Sequence, residues 1–266
     1  MKVAVLDDWF DTLSGLPSFE KLRSHDVTVW TDHTKSEDEL AERLVDTEAL
    51  VLIRERTKVT STLLDRLPRL RLISQRSVYP HVDVEACTRN GVMLCSNLHV
   101  DSPSYAAAEL TWALVLASAR KLPDQFTSLR EGRWMAAMGH TLRGKTFGIY
   151  GWGRIGKTIA GYAQAFGMNV LVWSSEEKRK QAAKNGWDVA FDREAFFSEA
   201  DFVSLHLRLF PSTRSIVTAA DLKRMKPSAT LVNTSRAGLI EPGALLEALQ
   251  NGGLDMLPLM CSRTNQ

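Results

Sequence analysis

Phe147-Gly148-Ile149-Tyr150-Gly151-Trp152-Gly153-Arg154-Ile155-Gly156 decides how this chain is read. Residues 146–150 have the pattern of an apolar strand, and Ile159, Ala160, Ala163 and Phe166 fall on one face of a helix predicted over 155–166. A lone G-x-G-x-x-G is a weak signal, but a strand before it and a helix after it supply the context its mechanism needs. In that context Gly151 makes the tight turn, Gly153 lets the backbone approach a pyrophosphate, and Gly156 lets the helix pack closely on the strand. The helix N-terminus then offers N–H groups and a partial positive charge to phosphates. The plain alternative, a strand–helix turn that holds no ligand, is the weaker reading because both flanks match.

The next strand, predicted over 170–173, ends in Trp173-Ser174-Ser175. An NAD-specific site usually places a carboxylate there to hold the ribose hydroxyls. Here the place falls to Ser174 and Ser175, followed by Glu176, Glu177, Lys178 and Arg179. Two hydroxyls and nearby cations do not repel a 2′-phosphate, so NADP acceptance or relaxed choice is one expectation. Ser174 and Ser175 simply starting a helix carries equal weight, since serine is a common cap. Further strands are expected over 202–207 and 230–233, with helices over 194–197, 220–225 and 243–250; residues 132–144 read as a loop.

Upstream, strand patterns at 3–6, 27–30, 50–53, 70–74 and 92–95 alternate with helical patterns at 19–24, 37–44, 63–67 and 83–89. Such alternation argues a parallel sheet covered on both faces. The fold class is therefore α/β, with two doubly wound parallel-sheet domains: 1–97, and 98–252 carrying the glycine motif. Between them a helix is expected over 105–119, capped by Ser102 or Ser104. Ala106, Ala107 and Ala108 would let another helix approach; a core helix is favoured over an interface helix.

Composition excludes several classes. Hydrophobic residues are 44% and charged residues 24%, as in ordinary globular chains, and a net charge of +2 argues for neither nucleic acid nor a membrane surface. Cys87, Cys95 and Cys261 show neither metal-ligand nor disulfide spacing, so no metal is expected. The start has no signal-peptide pattern, and the apolar run 106–119 is too short to span a bilayer. A soluble cytoplasmic setting is the default.

Four stretches resemble one family. Asp201-Phe202-Val203-Ser204-Leu205-His206-Leu207, Asp221-Leu222-Lys223-Arg224-Met225-Lys226-Pro227, Leu231-Val232-Asn233-Thr234-Ser235-Arg236-Ala237-Gly238 and Ala106-Ala107-Ala108-Glu109 are similar to segments of the D-isomer-specific 2-hydroxyacid dehydrogenases. The resemblance covers residues 1 to about 252. It implies a flavodoxin-like substrate domain, a Rossmann NAD(P)-binding domain, and a small 2-oxo or 2-hydroxy acid as substrate. It also implies a homodimer built on the cofactor domain and the helix over 105–119. NAD or NADP is expected to be held by Gly151, Trp152, Gly153, Arg154, Ile155, Gly156, Trp173, Ser174, Ser175, His206, Leu207, Thr213, Thr234, Ser235 and Arg236. Arg236 matches the family arginine that holds the substrate carboxylate and polarises the reacting carbonyl; a guanidinium forks onto a carboxylate and favours a developing alkoxide. The substrate loop falls at Arg76, Ser77 and Val78, where the family's usual glycines are replaced. His81 and His99 read as surface loop residues, and His206 as shaping the site without exchanging protons.

The family pattern continues past the last helix with a strand and then a glutamate–histidine proton relay. Residues 253–266 do not match it. A coding sequence for them exists that, read one base earlier, gives Arg-Pro-Gly-His-Ala-Ala-Val-Asp-Val-Phe-Glu-Asp-Glu-Pro, the continuation the family leads one to expect. The expectation is a frame change near Gly252, a truncated and incomplete Rossmann domain, and little or no turnover. A non-catalytic dinucleotide-binding module and a non-functional gene product stand as alternatives.

Overall fold

Continuous apolar runs such as Ala49–Leu52 and Phe202–Leu205 are what a strand buried on both faces requires, and parallel sheets wrapped by helices supply that burial. The computed structural model describes residues 1–76, 78–97, 105–134 and 136–250. The chain divides into two compact units, Met1–Ser102 and Pro103–Gln266.

In the first unit, β1 (Lys2–Val5), β2 (Asp26–Val29), α1 (Glu37–Leu44), β3 (Ala49–Leu52), α2 (Ser61–Leu64), β4 (Leu72–Gln75), α3 (Val84–Arg89) and β5 (Met93–Ser96) follow in order. The strands form one parallel sheet, β2-β1-β3-β4-β5. The helix expected over 19–24 is instead a 3-10 turn, Pro17–Leu22, with no buried residue; without an apolar face nothing holds it as a longer helix. Ser36, Thr60 and Asp83 cap α1, α2 and α3 through their side chains. Leu44, Leu50, Leu63, Ile73 and Ala86 are among the residues that fill the core of this unit.

The second unit opens with α4 (Tyr105–Ala119) and α5 (Leu122–Arg130). The caps expected for α4 at Ser102 or Ser104 lie outside the described residues. β6 (Thr146–Tyr150), α6 (Arg154–Ala165), β7 (Asn169–Trp173), α7 (Glu176–Lys184), β8 (Asp188–Val189), α8 (Arg193–Glu199), β9 (Phe202–Leu205), α9 (Ala219–Arg224), β10 (Thr230–Asn233) and α10 (Ala244–Gln250) follow. The parallel order is β10-β9-β6-β7-β8. Elements α5 and β8 have no counterpart in the sequence reading, and α7 starts directly after Ser175, where a helix start stood as an alternative. Helix α4 is a core helix: Ala108, Trp112 and Val115 pack with Phe147, Ile159 and Val232, and Thr111 and Ser118 hydrogen-bond Thr234 and Thr230.

Candidate functional site

Strand β6 is central, with β7 on one side and β9 on the other, so the chain reverses direction across the sheet between β6 and β9. In open α/β sheets, ligands bind beyond the carboxyl ends of the strands at such a switch point. The glycine motif sits there. Gly151 has φ +111°, and a Cβ on it would lie 2.5 Å from the His206 carbonyl oxygen. A Cβ on Gly156 would collide with the Gly151 carbonyl and lie 3.1 Å from Ile149 Cγ2. Gly153 differs: no protein atom lies within 4 Å of where its Cβ would be. The first and third glycines are thus required by protein packing. The second faces open space at the start of α6, the cradle a pyrophosphate needs.

Neighbouring strand ends converge on this loop. The Gly151 amide donates to the Trp173 carbonyl at 2.8 Å, and the Trp152 amide to Ser174 Oγ at 3.4 Å. Ser174 therefore holds the glycine loop. Ser175 occupies the N-cap of α7, so a helix does start at these serines, although the Ser175 side chain makes no capping bond. The His206 amide donates to the Tyr150 carbonyl at 2.8 Å, and the Leu207 side chain lies beside Gly151. Ser235 Oγ donates to the Leu205 carbonyl at 2.8 Å, and Thr234 Oγ1 meets Thr111 Oγ1. Arg154 and Ile155 begin α6, with Arg154 exposed and Ile155 half-buried. Trp152 is buried edge-on against Trp187. Thr213 spends its hydroxyl on its own turn, donating to the Arg208 carbonyl and accepting from the Phe210 amide.

Arg236 follows β10. Its carbonyl accepts from buried Asn233 Nδ2 at 2.9 Å, Asn233 Oδ1 accepts from the Ser235 amide, and Arg236 Nη1 donates to the Ser235 carbonyl at 3.0 Å. Asn233 thus fixes the backbone on which the half-buried guanidinium is mounted. The His206 ring is hydrogen-bonded to buried Ser204 at 2.8 Å. Burial lowers its pKa to about 3, so the imidazole is neutral at physiological pH. Asp201, part of the resemblance, lies at the opposite end of β9. There it accepts from the Thr146 amide and Lys226 Nζ, which outweigh burial and hold its pKa below the ordinary value.

In the first unit, Arg76 is exposed and Val78 half-buried; Ser77 and His99 lie outside the described residues. The sequence reading missed Gln75. It is 3% exposed, and its Nε2 donates to the carbonyls of Arg54, Arg76 and Val78 at 3.2, 3.1 and 2.9 Å, folding the loop after β4 over one amide. The surface reading of His81 is corrected: both ring nitrogens are shut off from solvent without a hydrogen-bond partner, and burial lowers its pKa. A second missed cluster lies at the ends of β1 and β3, where buried Asp7 accepts from Thr57 Oγ1 and pairs with His33 Nδ1, both at 2.7 Å. Among the described residues no group of three or more potential ligands could hold a metal ion.

Together, the sheet order and the glycine loop define a dinucleotide-binding α/β protein. The model of the D-isomer specific 2-hydroxyacid dehydrogenase NAD binding domain matches residues 112–259, and the chain belongs to this family. That match enters residues 253–259, which the sequence reading had left outside the resemblance. A D-3-phosphoglycerate dehydrogenase of Methanocaldococcus jannaschii is 37% identical over 230 residues, covering 85% of this chain and 43% of that protein. A glyoxylate reductase of Thermococcus litoralis is 33% identical over 259 residues, covering 91% and 76%. The structure of a phosphoglycerate oxidoreductase from Vibrio cholerae superposes with TM-score 0.90 at 46% identity, covering 99% of this chain and 85% of that one. A D-lactate dehydrogenase of Aquifex aeolicus, complexed with NAD and lactic acid, superposes with TM-score 0.77 at 25% identity, covering 98% and 77% of the two chains. The open face of Gly153 fits the NAD(P) cofactor of this family's domain.

Proposed function

We propose that this chain is an NAD(P)-dependent oxidoreductase acting on the CH–OH group of a D-2-hydroxy acid, or in reverse reducing a 2-oxo acid. The carrying observation is that Asn233 mounts Arg236 at the end of β10, in the same sheet edge as the glycine loop and His206. Bound NAD(P) would supply or accept the hydride. Gly151, Gly153 and Gly156 shape its phosphate cradle, and Leu207, Ser174 and Ser175 border it. Arg236 would fork onto the substrate carboxylate and favour negative charge on the reacting oxygen. Arg76, Ser77 and Val78 are proposed to contact the carboxylate from the first unit. The domain limits 1–97 and 98–252, a cytoplasmic location and a homodimer belong to the same reading. Among the described residues no helix is long and apolar enough to cross a membrane.

A second reading, a dinucleotide-binding module without turnover, is favoured by His206. Neutral and held by Ser204, it is no proton donor at physiological pH. One assay separates the two. Purified chain is mixed with NADH or NADPH and with glyoxylate or hydroxypyruvate, and cofactor oxidation is followed. Oxidation that falls by about 100-fold in R236A, the scale of losing a charge-stabilising donor, supports the enzyme. Cofactor binding with no oxidation supports the module.

A further inference from the structure

Lys178-Arg179-Lys180 is the densest basic run in the chain. Its middle member behaves differently from a solvated surface cation. The Arg179 guanidinium lies 4.3 Å over the Trp173 ring, and its Nε is shut off from solvent without a hydrogen-bond partner. No ion pair holds Arg179 among the described residues, whereas Lys180 pairs with Glu176 at 2.6 Å and offsets that carboxylate. Trp173 is the last residue of β7, and the next residue, Ser174, binds the glycine loop. The stack therefore fixes a planar cation beside the strand end where the adenosine ribose of a bound dinucleotide lies. A carboxylate is missing from that strand end, and the position is filled by a hydroxyl.

We propose that Arg179, held on Trp173, recognises the 2′-phosphate of NADP, and that this site accepts NADPH as well as NADH. The assignment rests on the dinucleotide reading of the glycine loop and adds the residue that sets cofactor choice. An arginine suits this place for two reasons. Its planar head group stacks on an indole without losing its in-plane N–H donors, and those donors match phosphate oxygens. Holding it in advance also lowers the ordering cost of binding. Glu177 is exposed and sits on the following helical turn with Lys178, so it does not replace the absent strand-end carboxylate.

The test is a binding measurement that needs no turnover. The purified chain is titrated with NADPH and with NADH by calorimetry, as wild type, R179A and R179Q. R179Q keeps a planar amide on a shorter stem, and it carries the test if R179A fails to fold. The expected result is wild-type affinities within about tenfold of each other, and a variant in which the NADPH-to-NADH affinity ratio drops by about tenfold or more, about 1.4 kcal/mol. A wild type that prefers NADH by about 100-fold or more, or a ratio unmoved in both variants, overturns the assignment. If neither nucleotide binds, the dinucleotide reading of the glycine loop itself falls, and this assignment with it.

Discussion

Gly153 and Gly156 respond to an added methyl group for opposite reasons. At Gly156 a Cβ meets the Gly151 backbone and Ile149, so G156A forces α6 away from β6. Overpacking of this kind costs about 1–3 kcal/mol, which exceeds the gain of about 1 kcal/mol in helix propensity over most of that range. At Gly153 the backbone is extended at φ −100° and the space is open, so G153A leaves stability within about 0.5 kcal/mol. It places a methyl group where the pyrophosphate approaches, and NADH affinity should fall by about tenfold or more, about 1.4 kcal/mol. Thermal melts and NADH titrations of both variants read this out; G153A binding like wild type would remove the phosphate cradle. The three glycines were legible because spacing alone fixes their roles. Gln75 was not, because its part depends on carbonyls from Arg54, Arg76 and Val78 converging on one buried amide. His81 was misread because burial of an imidazole without a partner leaves no mark in the sequence.

Among the elements, legibility follows apolar content. Strands β6, β7, β9 and β10 were visible as short apolar runs close to their observed limits. Helix α7 showed only as a possible start at Ser174 and Ser175 because only Ala182 is buried on it, and β8 was invisible because it has two residues. Helices α8 and α9 are tied by a contact no periodicity announces. Arg193 Nε and Nη2 donate to the Asp221 carboxylate at 2.8 and 2.6 Å, and Nη1 donates to the Tyr150 hydroxyl at 3.1 Å. Asp221 also closes a capping box with Thr218 at the start of α9. Burial alone would raise the Asp221 pKa, but Arg193 and Thr218 outweigh it and hold the carboxyl below its ordinary value. A carboxyl depressed in the folded state adds stability above its unfolded pKa, and that stability is lost as pH falls through the lower folded value. D221A should therefore lower stability at pH 7 by about 2–4 kcal/mol, toward the lower end because Arg193 keeps partial solvent access. The gap between wild type and variant should close only below about pH 4. Urea titrations from pH 7 to pH 3 measure it. A gap that does not change with pH would assign the loss to packing and the cap.

At the scale of the whole molecule, the alternation of strand and helix gave two parallel sheets, each with its own core. One core draws on residues from Ala4 to Val92, while those of the second unit draw on Ala108 to Ala244. What the alternation could not convey is a surface that neither sheet needs. Leu122, Phe126 and Leu129 lie on one face of α5 at helical spacing and are exposed, Phe126 to 58%. Two residues beyond α5 bond back to it: the Ala136 amide donates to Gln125 Oε1 at 3.3 Å, and the Arg133 carbonyl accepts from Ser128 Oγ at 3.0 Å. Trp134 and Met138, which follow α5 in the chain, are 81% and 90% exposed. Large apolar side chains exposed along one helix face mark an interaction surface, and the proposed homodimer supplies a second copy to cover it. A symmetric interface presents the same patch twice, so one charge placed in it meets its own image across the axis. F126E should then convert a dimer into a monomer in light scattering, raising the dissociation constant by about 100-fold or more, about 2.8 kcal/mol. Its β6–β9 dinucleotide edge should keep binding NADH, because α5 contributes no residue to that edge. A wild-type chain that is monomeric at high concentration, or an F126E chain that stays dimeric, would detach this patch from self-association and leave it to another partner.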